Sequence, residues 1–428
     1  MEDAFVIHKS QPLKGRIKIN GSKNAVLPIM AASLLSSGRS IIEGVPLLDD
    51  MRVMMKMLQH FGARLKLSGS VLYIDMGDLV SYQAPYELIK KMRASFLVMG
   101  PILARLGRVR ISMPGGCAIG ARPIDLHLKG LAAMGAEISN DKGFIEARAR
   151  RLKGAKIYLD FPSVGATENI MMAATLADGC TVISNAAEEP EIVDLANFLN
   201  AMGACVTGAG TDTIKIEGVE ELRGTRHCVI PDRIEACTFM VAAAITGGDV
   251  IIDNVISEHI MAVQAKLEEM GVQIIEQEDS IRVAGNPPYK PVDIKTLPYP
   301  GFPTDMQAQM ISLLAVTPGT SIIVETVFEN RFMHVNELRQ MGANIKIDGN
   351  MAVIEGVQSL NGSEVKATDL RAGAALILAG LIAEGETVVT DIYHVDRGYM
   401  NLEDQLRELG ADIERIKISH VKSAASII

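Results

Sequence analysis

Val335-Asn-Glu-Leu-Arg-Gln-Met-Gly-Ala-Asn-Ile-Lys-Ile347 reads as an amphipathic helix, a Gly-Ala stop and a strand. The stop recurs along the chain. It stands as Phe-Gly-Ala at 61–63, Met-Gly-Ala at 134–136, 202–204 and 341–343, Met-Gly-Val at 270–272, and Leu-Gly-Ala at 409–411. The six glycines, Gly62, Gly135, Gly203, Gly271, Gly342 and Gly410, lie 73, 68, 68, 71 and 68 residues apart. Spacing this regular marks a repeated supersecondary unit.

Each unit opens on a short strand-like run, such as Gly15-Arg-Ile-Lys-Ile-Asn20, and continues into a helix of small and apolar residues, such as 25–35. Glycine closes that helix, and a β-branched run follows, as in Thr181-Val-Ile, Ser321-Ile-Ile-Val and Thr387-Val-Val. Glycine suits a helix C-terminus and branched residues suit a pleated strand. The second helix runs to the Gly-Ala stop, and two more strands complete the unit. The sequence thus predicts an α/β fold with a βαβαββ unit used six times, as one ring or as two lobes of three. Two lobes agree better with the rarity of single cores beyond roughly 250–300 residues.

Composition narrows the function. The chain has 428 residues, 48% of them hydrophobic, with no apolar run long enough to cross a bilayer. Its Met-Glu-Asp start carries no charged-then-apolar leader, so a cytoplasmic location is expected. Five cysteines without a CxxC pair point to reduced thiols rather than a disulfide framework or zinc site. A net charge of −9, no Trp and 4% aromatic residues argue against nucleic acid as a partner.

Counting back 14 residues from the glycine after each first helix reaches Asn24, Arg93, Gly165, Arg233, Asp305 and Arg371. Polar residues at helix starts are ordinary caps. Capping does not call for Lys23, Arg93, Arg233 and Arg371, because a cation there opposes the helix dipole. Helix N-termini and cations belong together when both face an anion. A shared, strongly anionic ligand is therefore expected, with Arg122, Arg331 and Arg397 as further cations near second-helix starts. Arginine suits it, since its planar fork grips carboxylate and phosphate oxygens in pairs.

One unit breaks the pattern. From first-helix glycine to Gly-Ala glycine, five units span 23–25 residues and the second spans 28. The excess lies in Pro114-Gly-Gly-Cys-Ala-Ile-Gly-Ala-Arg-Pro123, where Cys117 precedes Arg122 by five positions. A buried structural cysteine is the commoner fate, but the flanking glycines give this one little core to pack in. A neighbouring cation lowers a thiol pKa. The other four cysteines read as structural.

These segments resemble the UDP-N-acetylglucosamine enolpyruvyl transferase (1-carboxyvinyltransferase) family over essentially the whole chain. The likeness is carried by Gly21-Ser-Lys-Asn-Ala25, the cysteine loop through Asp125, Ser163-Val-Gly-Ala-Thr167, Pro231-Asp-Arg-Ile-Glu235, Phe302-Pro-Thr-Asp-Met-Gln-Ala-Gln309 and Asp396-Arg397. The resemblance implies a two-lobed inside-out α/β barrel, with one lobe at 21–229 and the other at 1–20 plus 230–428. It implies transfer of enolpyruvyl from phosphoenolpyruvate to the 3′-hydroxyl of UDP-N-acetylglucosamine, with release of phosphate, as the first committed step of peptidoglycan synthesis. Cys117 would donate the proton and form an adduct with phosphoenolpyruvate. Asp305 would accept the hydroxyl proton or orient that hydroxyl. Lys23, Arg122 and Arg397 would hold phosphate, Arg331 and Arg371 would lie near the carboxylate, and Asp369 would support the arginines. Asn24, Arg93, Arg122, Pro123, Ile124, Asp125, Leu126, Ser163, Val164, Gly165 and Val327 would line the nucleotide-sugar site. No cofactor or metal is implied, and the epoxide fosfomycin is expected to alkylate Cys117. Some relatives place a lysine two residues before Ser163, where this chain has Phe161. Two rivals remain: a 3-phosphoshikimate enolpyruvyl transferase, usually Ser-Lys-Ser where this chain has Ser-Lys-Asn, and a weakly active regulatory paralogue.

Overall fold

The computed structural model describes residues 2–113, 124–141 and 143–418. The chain divides into two compact units. One comprises Met1–Ile19, Arg233–Leu297 and Phe302–Ile428, and the other comprises Asn20–Asp232 and Pro298–Gly301.

Among the described residues, five four-stranded sheets and one three-stranded sheet recur with the period of the Gly-Ala stop. Each four-stranded sheet has one plan: a parallel pair at one side, then two antiparallel partners. Cys180–Ser184, for example, pairs parallel to Lys156–Tyr158 and antiparallel to Thr213–Glu217, which pairs with Cys205–Thr207. The strands alternate as half-buried strands should. In Asp249–Asp253, Val250 and Ile252 are fully buried. The three-stranded sheet joins Arg108–Ser112, Phe144–Arg148 and Glu137–Asp141, and a lone parallel bridge from Gln83 to Arg110 stands where the fourth strand would run.

The first helices are buried on nearly every side. In Arg233–Thr246 every residue from Ile234 to Ile245 is inside, and in Leu370–Gly380 the run Arg371–Gly380 is inside. That explains their all-round apolar composition. The second helices, such as Asp49–His60 and Pro190–Ala201, end at the Gly-Ala stops. All six stop glycines take φ between +91° and +109°, a conformation costing an L-residue about 1–2 kcal/mol.

Two strands leave the repeat to which their sequence position assigns them. Lys14–Lys18 precedes the first helix but pairs parallel with Asp249–Asp253. Arg226–Cys228 takes the corresponding place beside Arg39–Glu43. The N-terminal strand Glu2–His8 fills the last sheet, between Glu386–Thr390 and Ile413–Ile418. The two connecting segments run antiparallel: Gly21 bridges Pro231, the Ser22 N–H donates to the Ile230 carbonyl at 2.7 Å, and the Asp232 N–H donates to the Asn20 carbonyl at 2.9 Å. A Cβ on Gly21 would lie 1.9 Å from the Gly44 carbonyl oxygen, so only glycine fits at this crossing.

At Gly203 a Cβ would meet nothing within 4 Å, which isolates the backbone effect. Gly203→Ala should therefore cost about 1–2 kcal/mol from φ alone, lowering Tm by a few degrees (roughly 2–4 °C per kcal/mol for a domain of this size) in calorimetry.

Candidate active site

In the unit containing residues 233–297, the turn Thr304–Met306 leads into the helix Gln307–Leu314 and presents Asp305 at its start. Two arginines grip its carboxylate. Arg331 Nη2 donates to Oδ1 at 2.7 Å, and Arg371 donates to Oδ2 from Nε and Nη2, both at 3.2 Å. The arginine side chains are only 3% and 2% exposed, against 27% for Asp305. A buried guanidinium needs a charged partner to offset its lost hydration.

Each arginine is also held from behind. Arg331 lies 5.2 Å from the Phe328 ring centroid and donates to Thr304 Oγ1 at 3.1 Å. Thr304 donates to Glu325 Oε2 at 2.8 Å, while Glu325 Oε1 accepts from Thr296 Oγ1 at 2.9 Å and from the Val327 and Phe328 N–H groups at 2.8 and 3.2 Å. Glu325 thereby fixes the backbone at Val327. Arg371 lies 5.2 Å from the Tyr399 ring centroid. The Tyr399 hydroxyl meets Thr238 Oγ1 at 3.0 Å and accepts from Gln309 Nε2 at 3.2 Å. Thr238 spends its own proton on the Ile234 carbonyl, so the Tyr399 hydroxyl is the donor between them.

Asp369 caps the helix Leu370–Gly380, its Oδ1 accepting from the Arg371 and Ala372 N–H groups at 2.8 and 3.0 Å. It thus supports Arg371 through the backbone. His334 is buried here, and its pKa is pushed down to about 4 chiefly by burial, with Arg331 adding to the fall and Asp369 opposing it. Arg397 follows the short turn Tyr393–Asp396 and, after burial, helps depress the pKa of His394.

In the other unit, Lys23 opens the helix Lys23–Ala32. Its Nζ lies 2.8 Å from Asp50 Oδ2, with side chains 9% and 5% exposed. Its backbone N–H donates to Asp232 Oδ2 at 3.2 Å, so the returning connection caps this helix while Ser22 does not. Asn24 follows, partly buried.

A second cluster gathers on Asn169. Its Oδ1 accepts from the Gly100 N–H at 2.6 Å, so its Nδ2 must donate: to the Phe96 carbonyl at 3.2 Å and to His127 Nδ1 at 3.1 Å. His127 therefore carries its ring proton on Nε2. Burial first and Arg93 second push its pKa down to about 3. A Cβ at Gly165 would lie 3.2 Å from this ring, which brings Arg93, His127 and Gly165 together. Ser163 caps the same helix, Val164–Ala174, its Oγ accepting from the Ala166 N–H at 3.4 Å. Ile124 is buried, Leu126 partly so, and Asp125 is exposed as the first residue of Asp125–Ala133. Phe161 is 42% exposed. Cys117, Arg122 and Pro123 lie outside the described residues.

All six counted-back positions fall at helix starts. Asp50, His127, Glu325 and Tyr399 are not singled out in the sequence, and Asp232 enters there only inside Pro231-Asp-Arg-Ile-Glu235; the Asp49-Asp50 pair at a second-helix start is a signal for the first of them. Of the cysteines read as structural, Cys237 is buried and Cys180 partly so, but Cys205 and Cys228 begin or end short strands with exposed side chains.

The family model for EPSP synthase (3-phosphoshikimate 1-carboxyvinyltransferase) matches residues 7–406, and the chain belongs to this family. Within it, the chain is strongly similar to enzymes of one acceptor type. UDP-N-acetylglucosamine 1-carboxyvinyltransferase 1 of Caldanaerobacter subterraneus subsp. tengcongensis is 67% identical, covering 97% of this chain and 100% of the relative. UDP-N-acetylglucosamine 1-carboxyvinyltransferase 2 of Carboxydothermus hydrogenoformans is 61% identical over 97% and 99%. Among solved structures, the enolpyruvyl transferase NikO of Streptomyces tendae superposes with a TM-score of 0.88 at 25% identity, covering 97% of this chain and 99% of its own.

Removing Asp50 leaves the Lys23 ammonium buried without that carboxylate. Asp50→Ala should cost about 3–5 kcal/mol in urea denaturation, and the double variant Lys23→Met/Asp50→Leu should recover most of it. His127 titrates near 6.5 when unfolded and near 3 when folded. Its contribution is therefore complete above pH 6.5 and is lost as pH falls toward 3, because the unfolded chain takes up the proton first. Between pH 6 and 4, His127→Gln should flatten the slope of stability against pH by up to about 1.4 kcal/mol per pH unit.

Proposed function

We propose that this chain transfers the enolpyruvyl group of phosphoenolpyruvate to the 3′-hydroxyl of UDP-N-acetylglucosamine and releases phosphate. Two relatives bearing that acceptor in their names cover nearly the whole chain at 61% and 67% identity. The observation that carries the chemistry is the Asp305 carboxylate held between buried Arg331 and Arg371. It gives an acceptor hydroxyl a fixed anionic partner and stands two cations beside it for an anionic co-substrate.

The reaction is an addition followed by an elimination. Cys117 delivers a proton to the terminal alkene carbon of phosphoenolpyruvate, the sugar hydroxyl oxygen bonds to the adjacent carbon, and its proton passes to Asp305. A proton of the methyl carbon then returns to the Cys117 thiolate as the C–O bond to phosphate breaks, restoring the alkene, and the phosphate leaves with the proton that Asp305 held. Lys23, Arg122 and Arg397 hold the phosphate. Arg331 and Arg371 serve the carboxylate, and Asp369 sets Arg371. The nucleotide sugar is lined by Asn24, Arg93, the 122–126 segment, 163–165 and Val327. A proton at the wrong place in such a step typically costs 10²–10⁴ in rate.

The same reading gives two lobes of an inside-out α/β barrel, at 21–229 and at 1–20 plus 230–428, with three repeats each. It places the enzyme in the cytoplasm, in peptidoglycan synthesis. No helix among the described residues is long and apolar enough to cross a membrane. The family model's own description names the shikimate acceptor, which keeps that alternative in the test.

Incubated with phosphoenolpyruvate, the protein should release phosphate with UDP-N-acetylglucosamine and not with shikimate 3-phosphate; the reverse would overturn the proposal. Cys117→Ala should fall by about 10²–10⁴ in kcat. Fosfomycin should add its mass to the peptide holding residues 114–122 of the native chain and leave that variant unlabelled.

A further inference from the structure

Arg415 stands on the last strand, opposite Phe5 of the N-terminal strand, and is not among the residues read from sequence. Its guanidinium collects carboxylates from three elements. Nη1 and Nη2 donate to the two oxygens of Asp396 at 3.0 and 2.7 Å, Nε donates to Glu403 Oε1 at 2.6 Å, and Asp3 Oδ2 lies 3.6 Å away. The Phe5 ring centroid lies 4.8 Å from its central carbon. A surface arginine gathering its own charge does not need a paired fork with Asp396 and a second carboxylate that is 8% exposed.

The residues it ties together bracket Arg397. Asp396 ends the turn Tyr393–Asp396, and Glu403 lies in the first turn of Leu402–Glu408. At Asn401 the backbone enters the left-handed region, at φ 49°, in a residue other than glycine. Such conformations persist where surrounding contacts over-determine them. Arg415 supplies contacts on both sides of Asn401.

We infer that Arg415 is a positioning residue for Arg397, holding the 396–403 segment so that the Arg397 side chain meets the phosphate-bearing substrate in one orientation. The inference rests on the phosphate-holding role proposed above for Arg397. Through Asp3 and Phe5, the N-terminal strand takes part in the same arrangement.

The test is steady-state kinetics with both substrates, alongside calorimetric binding of UDP-N-acetylglucosamine alone. Arg415→Met keeps much of the bulk over Phe5 and removes the fork. It should raise KM for phosphoenolpyruvate and the inhibition constant of inorganic phosphate at least tenfold, while Kd for the nucleotide sugar stays within twofold. Arg415→Lys should restore part of the loss. Unchanged KM, or equal losses for both substrates with no recovery by lysine, would overturn the inference. If Arg415→Met does not fold, Glu403→Gln takes its place, with a threefold rise in the same constants expected and none overturning the inference. A wild type that releases no phosphate with UDP-N-acetylglucosamine would instead overturn the activity proposal, and this inference with it.

Discussion

The antiparallel crossing of residues 20–22 with 230–232 is the constraint on which the arrangement depends. Here the chain leaves one unit and later returns, and the two segments are hydrogen-bonded side by side. The crossing needs glycine at position 21, because the Gly44 carbonyl occupies the space a side chain would take. It also brings Asp232 to the first turn of Lys23–Ala32, where it accepts from the Lys23 N–H. The ammonium of Lys23 is turned to Asp50, and a buried cation is thereby set at a helix start whose dipole alone would repel it. A topological event and a charged side chain share a few residues.

The same economy appears around Asp305. No single contact there is unusual, but the contacts nest. Asp305 is held by Arg331 and Arg371; those by Thr304, Phe328 and Tyr399; and those in turn by Glu325, Thr238 and Gln309. Buried polar groups of this kind are costly when half-satisfied and rigid when complete. The helices beneath are almost wholly apolar, so the hydrogen bonds are concentrated at their N-terminal ends.

The repeat was legible because its punctuation is backbone chemistry: a glycine at φ near +100° leaves a mark in any sequence. Helix starts were legible for a related reason, since counting from glycines keeps register across six units. The partner of each cation was not. Asp50 lies 27 positions from Lys23, and Asp305 lies 26 from Arg331 and 66 from Arg371, distances that follow only from the packing of separate elements. His127 sits in a Leu-His-Leu run that reads as core, and only the Gly100 N–H, by fixing the amide of Asn169, reveals which ring nitrogen carries its proton. The functional roles assigned to Cys117, Asp305 and Arg397 came from family likeness, and periodicity marked only their positions.

The N-terminal strand bears on how the molecule is made. Glu2–His8 is an interior strand of the last sheet, flanked by residues 386–390 and 413–418, and Lys14–Lys18 waits for 249–253. A ribosome releases these two strands ahead of their partners, which emerge only after residues 20–232 have been synthesised. The middle unit therefore has all its principal strands while the other still has its first two without sheet partners. Domains generally fold as units during synthesis, so the later-made part of that unit acts as the template onto which strands 2–8 and 14–18 are finally laid. In this protein two strands made before residue 20 are among the last to find their place.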